Sequence, residues 1–170
     1  MLTFAENLVN KAQFIIQNTA ENMQSIILYG SSTGNTARIA AYVAGAFQAA
    51  GIEIEVKPVS TVELHDLLDY DVIFLGSSTW GAGSLQDAMK PFYFQIDSEV
   101  VASKKMAVFG AGDSKSYPRS FCKAVDLLQS KLKSCGAEII LPPLKIDGDA
   151  DASKEAIDEW AAKAVSAVFK

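Results

Sequence analysis

The apolar positions of this chain follow two periods. IILY within Ser25–Tyr29, VIFL within Val72–Leu75 and MAVF within Met106–Phe109 are unbroken apolar runs. They lack the polar alternation of a strand with one wet face, so they suit a parallel sheet covered on both sides. Further strands are expected at Glu53–Pro58 and within Glu138–Ile146. Helical spacing falls between them, over Thr36–Ala50, Val62–Leu68, Leu85–Phe92, Arg119–Ser134 and Ala152–Phe169. Five strands with intervening helices predict an α/β fold, a three-layer α/β/α sandwich with right-handed crossovers. The expected five-stranded parallel sheet has the order 2-1-3-4-5, which puts a ligand at the carboxyl ends of the strands, near the switch between the first and third. Asn35 and Thr36 are expected to open the first long helix and Gly51 to close it, Gly136 to end the helix containing Cys135, and Asp151 or Ser153 to open the last. In that last helix Trp160 shares helical spacing with Ile157, Ala164 and Val168. It reads as a core anchor rather than a site residue.

The loops after three of the strands carry the chemistry. The first reads YGSSTGNT from Tyr29 to Thr36, where an apolar strand passes through small hydroxyl residues into a helix. Unpaired backbone N–H groups and the helix dipole favour an anion there, and Ser31, Ser32, Thr33 and Thr36 add hydroxyl donors. A nucleoside-triphosphate loop would need GxxxxGK[ST]; without the lysine, the loop points to one terminal phosphate held by neutral donors. The second loop runs Ser77-Ser78-Thr79-Trp80-Gly81-Ala82-Gly83-Ser84-Leu85 and the third Ala111-Gly112-Asp113-Ser114-Lys115-Ser116-Tyr117-Pro118. Each places one aromatic among glycines and small polar residues. Trp80 and Tyr117 can sandwich a planar ring while glycine backbone reaches its edge. The competing reading at either position is an aromatic folded back on the core.

Together the three loops resemble flavodoxins, small electron carriers that hold one flavin mononucleotide (FMN). The resemblance rests on STGNT at Ser32–Thr36, STWGAGSLQDAM at Ser78–Met89, GAGDSKSYPRSFCKAVD at Gly110–Asp126 and LKIDGD at Leu144–Asp149. It implies a flavodoxin-like fold of the short-chain type over 23–170. It implies that Ser31, Ser32, Thr33, Gly34, Asn35 and Thr36 bind the phosphate. Ser78, Thr79, Trp80, Gly81, Ala82 and Gly83 would form one side of the flavin site, with Trp80 over one ring face and the Gly81 peptide at N5. Gly110, Ala111, Gly112, Asp113, Tyr117 and Phe121 would form the other, with Tyr117 stacked on the second face and Asp113 near the pyrimidine edge. Many relatives in that family carry an acid where this chain has Ala82, which makes the reduced anion less costly here. The Asp113–Tyr117 spacing matches the family's longer-chain branch, although no long insertion enters Glu138–Ile146. The implied function is a low-potential one-electron carrier, passing between oxidised, semiquinone and hydroquinone FMN, with no catalytic residue and no metal. The alternative is a flavodoxin-like NAD(P)H-dependent quinone or flavin reductase, which needs room over the flavin that stacking by both aromatics would block. A receiver-type signalling module needs an acid where Ser77 and Ser78 stand.

Composition narrows the setting. The chain has 170 residues, 49% hydrophobic and 21% charged, which suits one domain with a substantial core. Cys122 and Cys135 lack CxxC spacing and read as apolar residues in a reducing, cytoplasmic setting. His65, the only histidine, sits in a charged segment unsuited to metal binding. A formal charge of −5 with no basic cluster argues against nucleic acid. Glu63, Asp66, Asp69, Asp71, Asp87, Asp97 and Glu99 flank the tryptophan loop and suit redox partner proteins with basic docking surfaces. No apolar stretch is long enough for a bilayer, and a monomer is expected. The first 22 residues stand apart as an extension. Ala5, Leu8, Val9, Ala12, Ile15 and Ile16 share a face, and Thr3 with Glu6 has capping-box spacing. With no basic start and a short apolar run it is not expected to be a good export signal. It reads as a helix packed outside the sheet, a partner-docking helix, or sequence upstream of a natural start at Met23. The last ranks first, because the family pattern begins just after Met23.

Overall fold

A computed structural model of the chain describes residues 3–170, apart from the side chains of residues 16, 17, 20 and 21. The sheet strands are β1 (Ser25–Gly30), β2 (Glu55–Pro58), β3 (Val72–Ser77), β6 (Lys105–Gly112), β7 (Glu138–Ile139) and β8 (Leu144–Asp147). All pair in parallel, in the order β2-β1-β3-β6-β7, with β8 also on β6. Since β7 and β8 continue one fifth strand, this is the expected 2-1-3-4-5 order. The fifth strand is broken, however. Met106 pairs with Ile139 and Phe109 with Leu144, so three steps along β6 face five along the partner. Pro142 and Pro143 lie in the bulge, where neither has an N–H for the ladder.

Both sheet faces are covered, as the unbroken apolar runs require. On one, α2 (Asn35–Ala49) and α6 (Lys154–Ala167) enclose Phe47, Phe74, Phe109 and Trp160. Trp160 meets Phe74 and Phe109 edge-on at 6.0 and 6.5 Å, and its Nε1 donates to Pro142 O at 2.8 Å. Its expected place in the core is therefore the one it takes. On the other, α3 (Met89–Gln95), α4 (Ser98–Val101) and α5 (Lys123–Ser134) cover Leu75, Met89, Val108 and Leu128.

Several boundaries differ from expectation. The segment read as a helix from Leu85 starts instead with the hairpin of β4 (Thr79–Trp80) and β5 (Ser84–Leu85), and α3 begins only at Met89. The helix expected from Arg119 begins at Lys123, because Ser120 N–H bonds Tyr117 O and Lys123 N–H bonds Ser120 O in successive turns. The helix expected at Val62–Leu68 is a 3₁₀ segment, Leu64–Asp69, capped reciprocally by Glu63 and Asp66. Gly34, left-handed at φ 96°, is the N-cap of α2 rather than Asn35 or Thr36. Ser153 precedes α6 without a side-chain cap bond, while Asp151 accepts from Tyr42 Oη at 2.7 Å. Gly51 and Gly136 do follow the ends of α2 and α5. The short α4 was not expected; Asp97 caps it by accepting Val100 N–H at 3.1 Å.

The extension is helical. Thr3 and Glu6 form the expected reciprocal cap of α1 (Phe4–Asn22), at 2.6 and 3.2 Å. Ala5, Leu8, Val9, Ala12 and Ile15 are all exposed. The side chain of Ile16 lies outside the described residues. Among those described, no helix is long and apolar enough to cross a membrane.

Candidate functional site

The three loops emerge together at the carboxyl ends of β1, β3 and β6, because parallel pairing aligns those ends. The first lies over the start of α2, where N–H groups have no helical acceptor. Ser31 Oγ accepts Gly34 N–H at 3.2 Å and tightens the turn, leaving Ser32 and Thr33 exposed. Thr36 is fully buried, and its Oγ1 has no hydrogen-bond partner among the described residues. A buried hydroxyl is seldom left so. At the first turn of a helix it suits an anion held by the loop, which is the fit an FMN phosphate requires. The side chain of Asn35 faces elsewhere. Its Nδ2 donates to Gly148 O at 3.0 Å and its Oδ1 accepts Ala150 N–H at 3.2 Å, tying the socket to the loop after β8. Asn35 thus has only its backbone for the ligand.

The second loop is the β4–β5 hairpin, closed by Gly83 N–H on Trp80 O at 3.1 Å. Gly81 adopts φ 48°, a conformation unfavourable to a side chain, although a Cβ there would meet nothing within 4 Å. Trp80 is 48% exposed, so it is not folded back on the core. Ser78 Oγ donates to Gly30 O at 3.3 Å, and Thr79 Oγ1 accepts Ala124 N–H at 3.1 Å. The latter hydroxyl supports the first turn of α5.

The third loop leaves β6 through Gly110 and Ala111, both buried, and Gly112, half-buried. A Cβ on Gly110 would lie 2.1 Å from Ser77 O. Only glycine lets β6 approach the end of β3 so closely. Asp113 accepts Ser116 N–H at 2.9 Å, and Tyr117 N–H bonds Asp113 O at 2.9 Å. The Ser116 side chain and N–H hold the Asp113 carboxyl below its ordinary value. Ser114 Oγ and N–H bond Asp147 and lower its carboxyl likewise. Tyr117 is 48% exposed, like Trp80. The two aromatic loops are joined through Ser120, whose N–H donates to Tyr117 O at 3.1 Å and whose Oγ donates to Gly81 O at 3.4 Å. Phe121 is half-buried and packs against the core.

Outside the expected set, the structure adds Gln86, Ser77 and the Ser114–Asp147 pair. Gln86 was missed from the sequence, where its available signal is a glutamine directly after Leu85 at a point where the spacing to Met89 suggests a buried face. Cys122 is buried under Gly112, and burial pushes its thiol up to about 11; Cys135 is half-buried. Among the described residues no cluster of His, Cys, Asp or Glu has the makings of a metal site. The seven acids expected to flank the tryptophan loop are all exposed, and five of them make bonds: Glu63 and Asp66 to each other's backbone, Asp71 to Gln24 N–H, Asp87 to Lys90, and Asp97 within α4. Asp87 directly follows the hairpin, whereas Asp71 lies beside Gln24 at the amino ends of β1 and β3, the opposite end of the sheet.

A doubly wound sheet with a hydroxyl-rich socket and two exposed aromatics at its switch point defines a class of small α/β protein that holds a phosphorylated planar ligand. Residues 27–160 match the family model described as flavodoxin. The chain is 43% identical over 141 residues to the flavodoxin of Maridesulfovibrio salexigens, covering 81% of this chain and 93% of that one. It is 37% identical over 146 residues to the flavodoxin of Nitratidesulfovibrio vulgaris, covering 84% and 97%. The crystal structure of oxidised flavodoxin 2 from Bacillus cereus is similar at a TM-score of 0.76 and 34% identity, over 84% of this chain and 99% of that one. The chain belongs to the flavodoxin family, whose cofactor is FMN and whose members are electron-transfer proteins.

Proposed function

We propose that this chain is a low-potential one-electron carrier that binds FMN non-covalently and serves redox partner proteins, without a substrate of its own. The observation that carries the reading is the Thr36 hydroxyl, fully buried and without a partner among the described residues at the mouth of α2. FMN supplies the redox chemistry when bound. Ser32, Thr33, Thr36 and the backbone of Gly34 and Asn35 hold its phosphate, while Trp80 and Tyr117 flank its ring and keep a second planar substrate off it. Among the described residues the Gly81 carbonyl is held only by the long 3.4 Å bond from Ser120, so its peptide would be free to turn toward a bound ring and offer the carbonyl as an acceptor. Asp113 and Asp147 disfavour added negative charge, opposed by Lys115 on the same loop. Exposed Asp87, which directly follows the hairpin, and exposed Asp113 and Asp147 at the third loop attract a basic partner, with an association rate that falls as salt rises. The carrier acts as a cytoplasmic monomer.

Stepwise anaerobic reduction of the FMN-loaded protein tests the reading. Two separate one-electron stages in the visible spectrum are expected, with no direct reduction by NADH or NADPH. A single two-electron stage, or rapid reduction by a nicotinamide, would identify an enzyme instead. Gly81→Ala tests the turning peptide; it should narrow the gap between the two potentials.

A further inference from the structure

The carboxamide of Gln86 is buried between the phosphate loop and the Trp80 hairpin, with the residue 8% exposed. Its Oε1 accepts the N–H groups of Ala88 at 2.8 Å and Met89 at 3.3 Å, at the start of α3. Its Nε2 donates to Ser32 Oγ at 3.2 Å. Its backbone N–H donates to Ser77 Oγ at 3.2 Å, which anchors it to the end of β3. Two backbone donors on one end of the carboxamide settle which end is oxygen, so the NH₂ end faces Ser32. A hydroxyl that accepts from Gln86 keeps its own proton to give away. Ser32 is exposed, so that proton is available to a ligand in the loop. Gly30 leaves room for this arrangement: a Cβ there would lie 2.5 Å from Gln86 Oε1.

We propose that Gln86 is a positioning residue that fixes Ser32 as a hydrogen-bond donor and thereby makes the socket select a phosphorylated flavin over its dephosphorylated form. The inference rests on the FMN reading above. Gln86 acts through Ser32, not by touching the ligand.

Gln86→Glu is the most direct test. It keeps the shape and leaves one oxygen for Ala88 and Met89. The other oxygen makes Ser32 donate inward and adds a negative charge beside the phosphate. Gln86→Met removes the polar contacts without adding charge. The ligand-free full chain is titrated into FMN and, separately, into riboflavin, with fluorescence quenching as readout and near-UV circular dichroism as the check on folding. The Kd for FMN should rise about tenfold to a hundredfold in Gln86→Glu and about threefold to tenfold in Gln86→Met, with the Kd for riboflavin changing less than about twofold. In a Ser32→Ala background, Gln86→Met should leave the FMN-to-riboflavin ratio unchanged. If the Glu variant loses its near-UV signal, the ratio in the Met variant decides. A wild-type preference for FMN that both variants retain would make Gln86 a helix cap only and overturn the inference. A wild-type chain that does not prefer FMN to riboflavin would overturn the FMN reading with it.

Discussion

Replacing Thr36 by valine should change the stability of the ligand-free protein and its affinity for FMN in opposite directions. Thr36 is fully buried and its Oγ1 has no partner among the described residues. An unsatisfied buried hydroxyl costs about 1–3 kcal/mol, and valine replaces it with a methyl of similar size. At the low end of that range the ligand-free variant gains about 1 kcal/mol, a rise in melting midpoint of about 2–4 °C for a chain of this length. With FMN bound, the same change removes a hydrogen bond to a charged phosphate, worth about 1.5–3 kcal/mol. The Kd therefore rises about tenfold to a hundredfold. Scanning calorimetry of the ligand-free protein and fluorescence titration with FMN read the two effects, and Thr36→Ser, which keeps the hydroxyl, should retain most of the affinity. A valine variant that melts lower without ligand and binds FMN unchanged would show that the hydroxyl neither lacks a partner nor faces the socket.

Other consequences are equally open to measurement. Trp160→Phe loses the Nε1 bond to Pro142 and should lower the melting midpoint by the equivalent of about 1–2 kcal/mol, with the Kd for FMN within about twofold; a large loss of affinity would contradict its place in the core. Iodoacetamide at pH 8 should label Cys135 well before Cys122, whose thiol burial raises to about 11, and equal labelling of the native protein would refute that burial. Asp113 and Asp147 are held below their ordinary values by Ser116 and Ser114, so their contribution is complete above the unfolded carboxylate value near about 4 and is lost as pH falls through the folded values. Amide-exchange protection at Ser114 and Ser116 should accordingly hold from pH 7 to 5 and collapse only in stronger acid; loss already at pH 6 would contradict the assignment.

The sheet was legible because its evidence is local. IILY, VIFL and MAVF mark central strands without reference to anything distant, and the loops at their ends follow from the order. Two of the misread regions and one missed residue show that the deciding contacts can lie elsewhere. Leu85–Phe92 has helical apolar spacing, but Leu85 pairs back onto Thr79 across the Gly81–Gly83 turn, so the helix waits until Met89. Asn35 looked like a cap, yet its carboxamide bonds residues 113 and 115 positions away. Gln86 could be noticed as a polar intruder, but its partner Ser32 lies 54 positions upstream. The fifth strand's break reflects Pro142 and Pro143, whose effect on a ladder depends on where the neighbouring strand places its acceptors.

The chain has only two tryptophans, and the fold gives them opposite surroundings: Trp160 is sealed against Phe74 and Phe109, while Trp80 is open to solvent beside the socket. Their emission should separate into two channels, a blue-shifted one shielded from acrylamide and a red-shifted one open to it. The second should dim as flavin is taken up and the first only as the sheet comes apart, so a single cuvette can follow loading and unfolding without any attached dye.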